Sequence, residues 1–170
     1  MLVVSDASPV NVLIRIGQIN VLPILFKAVV VPTSVAEEMS RAATPQIVRD
    51  WLDRPPPWFS VREPSSAMPP SIRRHRGERD AINLAREIHA DALLLDEERA
   101  RTEALALGVA VVGTVGVLQR AADQGLIADL KAVHDQLRQI RFRVDERILN
   151  DSLSRHLASR QARAGQSPPR

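Results

Sequence analysis

Leu2-Val3-Val4-Ser5-Asp6-Ala7-Ser8-Pro9, at the start of the chain, is the stretch on which the fold turns. Leu2–Ser5 is short, apolar and uninterrupted, the pattern of a strand buried on both faces. Asp6 follows it directly, and Ser8 and Pro9 then read as the cap and first residue of a helix. The same arrangement recurs at Ala92-Leu93-Leu94-Leu95-Asp96, where a second apolar run ends in a carboxylate. If the two strands lie side by side and parallel, both acids project from one edge of the sheet. Open α/β sheets bind their ligands at that edge, beyond the carboxyl ends of the strands.

Strands and helices alternate on either side of these runs. A helix after Ser8 ends at Gly17, and residues 20–26 form a short helix interrupted by Pro23. Residues 28–31 are the next buried strand, closed by Pro32. Thr33 or Ser34 caps a helix carrying Val35, Glu38, Met39 and Ala42, and another helix lies near 45–52. Residues 58–62 alternate as a short edge strand. The prolines of 63–76 mark a surface loop. Gly77 opens a helix with Ala81, Leu84, Ala85 and Ile88 in one stripe. Strand 92–95, helix 97–107, strand 109–112 and a helix from Gly113-Thr114 to about 122 follow, then helices over 127–140 and 145–158. This alternation predicts an α/β fold, a parallel sheet with helices on both faces. Right-handed crossovers leave few ways to wind five strands. In one of them, order 3-2-1-4-5, the first and fourth strands are neighbours at the switch point.

Two such carboxylates repel unless a proton or cation intervenes. Either position alone reads as a helix cap before it reads as a catalyst; together they suggest a site. At about 100° of rotation per residue, Glu38 lies at the edge of the buried face of its helix and Glu37 points away. Glu78 and Asp80 both flank the apolar stripe of the following helix, so rotation alone does not choose between them. Glu97 is a further outer acid. An all-oxygen, carboxylate-rich set suits Mg²⁺ or Mn²⁺, and such an ion can activate water and neutralise a phosphoryl group. The four histidines show no metal-ligand spacing. Thr114 offers a hydroxyl and a helix N-terminus to a phosphate, or a plain cap.

The composition narrows the class. At 170 residues and 45% apolar, the chain suits one globular domain with a real core. It has no cysteine, which excludes disulfides and thiolate metal sites. No apolar run reaches the roughly 20 residues of a membrane span, and the first residues lack the basic start of a signal peptide. A cytoplasmic protein is the default expectation. From Arg138 onward there are eight Arg against three acids (8 − 3 = +5), so the rest carries −2 of the net +3. A basic C-terminal segment can attract phosphate backbones, or it can be a solvated helix and a disordered tail over 160–170.

Several of these motifs, in this order, resemble PIN-domain nucleases: Ser5-Asp6-Ala7-Ser8-Pro9, Val31-Pro32 with Val35-Ala36-Glu37-Glu38, Gly77-Glu78-Arg79-Asp80-Ala81-Ile82, Leu94-Leu95-Asp96-Glu97 and Gly113-Thr114-Val115-Gly116. The likeness is strongest to the branch of VapC-type toxins and covers about residues 1–140. It leaves 141–159 as a helical extension and 160–170 as a basic tail. The resemblance implies a three-layer α/β/α fold with a parallel five-stranded sheet in the order 3-2-1-4-5. It also implies a Mg²⁺- or Mn²⁺-dependent endoribonuclease, often a homodimer, whose RNA-cleaving activity a small antitoxin restrains. By motif, the metal and catalytic acids would be Asp6, Asp80 and Asp96, with Glu38 completing the pocket and Ser8 and Thr114 positioning water or substrate. The resemblance thus prefers Asp80 to Glu78.

Other readings compete. A phospho-receiver domain needs paired acids after its first strand and a lysine after its fifth, and neither is present. DNA binding through the basic C-terminal helices lacks a recognition-helix pattern, and 3% aromatic content gives no stacking platform. A catalytically inactive PIN fold that binds RNA or protein is the stronger rival.

Overall fold

Five short strands, Leu2–Ser5 (β1), Ala28–Pro32 (β2), Phe59–Arg62 (β3), Ala92–Leu94 (β4) and Val111–Val112 (β5), pair in parallel in the order β3-β2-β1-β4-β5. This computed structural model describes residues 1–65 and 75–164. The expected winding is therefore the observed one, an α/β/α arrangement with helices flanking the sheet. β1 is central because its neighbours on both sides bury it: Val3, Val4 and Ser5 are fully enclosed. The register sets Val3 beside Val29 and Ala92, and Ser5 beside Leu94. β3 lies at one edge, as expected, but three of its four residues are exposed rather than alternate ones.

The chain divides into two compact units, Met1–Thr114 and Val115–Arg170. The first contains the sheet with α1 (Ala7–Arg15), a 3-10 turn (Ile19–Val21), α2 (Leu22–Leu25), α3 (Thr33–Met39), α4 (Gln46–Asp53), α5 (Arg76–Glu87) and α6 (Glu98–Ala106). One core cluster joins Val4, Val30 and Leu93 of the strands, and Leu95 just after β4, to Ala81, Ile82, Leu84 and Ala85 of α5 and Ala100 and Ala104 of α6. The predicted stripe of α5 is thus its buried face, with Ile88 packed at the margin. Gly108 ends α6 at φ +78°, where a side chain would be strained.

The second unit is helical: α7 (Thr114–Asp123) leads into it, followed by α8 (Leu130–Gln139) and α9 (Glu146–Ala164). α8 starts later than predicted because Asp129 caps it, accepting from the Ala132 amide at 2.9 Å. α9 is longer than predicted. Residues 160–164, expected to be disordered, are its last turn and a half, while 165–170 lie outside the described residues, as do 66–74 of the expected proline-rich loop. No single helix among the described residues is long and apolar enough to cross a membrane.

Three helix starts differ from expectation for one reason, the demand of the strand ends. α1 begins at Ala7 behind Asp6, so Ser8 sits inside the helix and its hydroxyl is directed elsewhere. α3 begins at Thr33 behind Pro32, without a side-chain cap. α6 is capped by Glu97, whose carboxylate accepts from the Ala100 amide at 2.6 Å, which leaves Asp96 outside that role.

Candidate active site

β1 and β4 pair in register, so the residues that follow them leave the sheet side by side. Asp6 is fixed there by its own amide, which donates to the Leu94 carbonyl at 3.0 Å. The residue is 8% exposed. Burial, joined by the charges of Glu38 and Glu78, pushes the carboxyl from its ordinary 3.8 up to about 7. The amides of Ala7 and Ser8 act in the opposite direction, without forming a capping hydrogen bond. A buried acid pressed by two others is costly in the absence of a compensating positive charge.

Gly77 brings these acids together. It is buried at the start of α5, and a Cβ there would lie 3.1 Å from Glu38 Oε2, 3.3 Å from Val35 Cγ2 and 3.6 Å from Asp6 Oδ1. The bare backbone therefore lets α5 approach α3 and the end of β1 closely. Glu38 faces this point. Glu37 is exposed on the other side of its helix and pairs with Arg76 at 3.5 Å. Arg76 also pairs with Asp80 at 3.5 Å, one turn on. Of the two α5 acids that rotation left open, Glu78 is the one whose charge acts on Asp6, and Asp80 is held by its own helix.

Asp96 stands beside this pair and is linked to it through Ser8. The Ser8 hydroxyl donates to Asp96 Oδ2 at 2.9 Å, while the Ser8 amide acts on Asp6. Thr114 is buried and binds Asp96 twice, amide to Oδ1 and hydroxyl to Oδ2, both at 2.7 Å. A carboxylate accepts about four hydrogen bonds, so these three leave one lone pair for a further partner. Ser8 and Thr114 thus orient Asp96 rather than projecting into open space.

The sequence marks Gly113 only as part of a motif and does not mark Arg101 at all. Arg101 reaches back from α6 and donates to the Leu95 carbonyl at 2.9 Å. A Cβ at Gly113 would come within 2.7 Å of Arg101 Nη1 and 3.3 Å of Asp96 Oδ1. Gly113 therefore makes room for a guanidinium next to Asp96. Nothing in one sequence marks it, because Arg101 lies on a helix of no clear amphipathic pattern.

Among the described residues no three acidic or imidazole groups are already gathered as a metal cage. The donor set nonetheless fits a hard cation. Asp6 and Glu38 converge on Gly77, Glu78 adds charge, and Asp96 keeps an acceptor. Mg²⁺ characteristically takes one or two carboxylates and keeps several waters.

A family model described as PIN domain matches residues 2–157. Among solved structures, a PilT N-terminus domain protein from the hyperthermophilic archaeon Sulfolobus solfataricus P2 is similar, with a TM-score of 0.53 and 21% identity. The alignment covers 71% of this chain and 93% of that one, and at this identity the likeness concerns the fold. No curated protein matches the chain significantly.

Proposed function

The chain belongs to the PIN-domain family, a nuclease-type fold, and from that premise we propose that it is a Mg²⁺- or Mn²⁺-dependent endoribonuclease hydrolysing RNA phosphodiester bonds. The observation that carries the proposal is the buried Asp6 carboxyl, raised to about 7 with Glu38 and Glu78 against it and Ser8 joining it to Asp96. Asp6 and Glu38 would hold the cation, with Asp96 binding directly or through water. When bound, the ion would lower the pKa of a water and offset charge on the scissile phosphate. Asp6 must lose its proton for this, and the surrounding carboxylates favour accepting positive charge in its place. Ser8 and Thr114 keep the Asp96 oxygens aimed at the pocket. Arg101, beside Asp96, offers a guanidinium to a phosphate oxygen. Asp80 is proposed in a lesser role, joining the site once released from Arg76.

The biological setting is proposed with it: the toxin of a type II toxin-antitoxin pair, acting in the cytoplasm as a homodimer and restrained by a small antitoxin. The second reading, an inactive PIN fold that binds RNA or protein, is favoured by the Arg76–Asp80 pair and the three bonds already made to Asp96. Incubating purified protein and Asp6→Asn with single-stranded RNA and Mn²⁺, then with excess EDTA, separates the two. Cleavage by wild type that falls at least about 100-fold in the variant, and stops with EDTA, supports the nuclease. RNA binding without cleavage supports the inactive fold. Equal cleavage by both proteins removes Asp6 from the reaction.

A further inference from the structure

In the C-terminal unit, the end of α7, the turn after it and the last turns of α9 line an open cavity of about 490 Å³. That volume falls within the roughly 300–1,000 Å³ of small-ligand pockets. Its polar wall is Asp123, His156, Arg160 and Arg163. The His156 side chain is 5% exposed, with Nδ1 at 2.6 Å from Asp123 Oδ1. A carboxylate only accepts, so Nδ1 carries a hydrogen toward Asp123, and Nε2 is the ring nitrogen left for another partner. Nε2 has no protein partner among the described residues. Arg163 donates to the Asp123 backbone carbonyl, which holds it on the same wall. Arg160 has no ion pair or hydrogen bond among the described residues. The wall therefore carries two guanidiniums against one carboxylate, and that carboxylate is engaged by the imidazole.

We propose that this cavity is a phosphate-binding pocket. Planar guanidiniums match phosphate oxygens two at a time, and Arg160 and Arg163 supply that pair from one helix. The His156 Nε2 supplies a third polar contact to the same ligand, at a phosphate oxygen or a sugar hydroxyl beside it. Two sources carry this chemistry, the backbone of an RNA and a free nucleotide. The pocket uses none of Asp6, Glu38 or Asp96, so it stands apart from the nuclease reading. If the His156–Asp123 bond served only to fasten α9 to α7, it would need neither arginine.

The test is calorimetric titration of the full chain, in EDTA, with inorganic phosphate, adenosine 5′-monophosphate and a short single-stranded RNA. The proteins compared are wild type, R160A/R163A, R160K/R163K and His156→Gln, each checked for an unchanged melting midpoint. Binding to wild type that weakens at least about tenfold in R160A/R163A, returns in part with lysine, and also weakens in His156→Gln is the expected result. Binding of the RNA alone identifies a backbone site, and binding of the mononucleotide identifies a free-nucleotide site. Failure of all three ligands to bind wild type, or unchanged affinity in R160A/R163A or in His156→Gln, overturns the proposal. Because no cleavage is measured and no divalent ion is present, failure here is distinct from failure of the nuclease reading.

Discussion

At neutral pH the Asp6 carboxyl, titrating near 7, holds a proton on about half of the molecules. In the unfolded chain the same group titrates near 3.8, so between these values the folded state binds the extra proton. Its contribution to stability is complete below about 3.8 and is lost as the pH rises through about 7. Asp6→Asn is therefore expected to raise the stability at pH 8 by on the order of a few kcal/mol, seen as a higher melting midpoint, and to leave it nearly unchanged at pH 4. It should abolish RNA cleavage at the same time. Thermal melts at the two pH values check the first expectation. Glu78→Gln is expected to move the Asp6 titration down, followed by carboxyl carbon NMR, whereas Asp80→Asn moves it less. The two strand-end acids were legible because one pattern occurs twice, and Glu38 because helical rotation separates it from Glu37. The contribution of Glu78 was not legible, because its charge reaches Asp6 only through the close approach of α5 that Gly77 allows.

The junctions of elements carry the site's precision. Gly77 lies in a helix, where alanine would gain roughly 1 kcal/mol of intrinsic propensity. The new Cβ would push on Glu38 Oε2 at 3.1 Å and Val35 Cγ2 at 3.3 Å. Gly77→Ala should thus keep its melting midpoint within a few degrees while Mn²⁺ affinity and cleavage fall by about tenfold. Parallel loss of stability and activity would instead make Gly77 a packing residue. Strands and most helices were readable as elements, since buried runs and apolar stripes are local signals. Their ends were less so. Ser8 has the chemistry of an N-cap, yet Asp6 already occupies that position and the hydroxyl turns to Asp96. Glu97 caps α6 because the strand before it stops at Leu94. Caps are chosen by where tertiary structure stops a strand, which one sequence states only weakly.

Over the whole molecule, alternation and crossover handedness left a few windings, the family resemblance implied the order 3-2-1-4-5 among them, and the observed strand order is that one. The extent of α9 did not follow, because its basic, weakly patterned end reads like a solvated tail while the structure continues it to Ala164. Both tryptophans, Trp51 and Trp58, pack with Phe59 in the N-terminal unit, so their fluorescence reports that unit alone. The C-terminal unit contains His134, 1% exposed, whose pKa burial lowers from its ordinary 6.5. There the unfolded chain binds the extra proton, so stability is lost as the pH falls below about 6.5. His134→Gln is expected to reduce the acid sensitivity of the helical circular dichroism signal, and an unaltered pH dependence would assign that sensitivity to other groups. The nuclease reading itself rests on a cation replacing the Asp6 proton. Calorimetric titration of Mn²⁺ into the wild-type chain and Asp6→Asn at pH 7, in two buffers of different ionisation enthalpy, measures that exchange directly. Binding to wild type with release of about half a proton, and loss of both binding and proton release in Asp6→Asn, is the expected result; equal binding by the two proteins, or no binding by either, would contradict it.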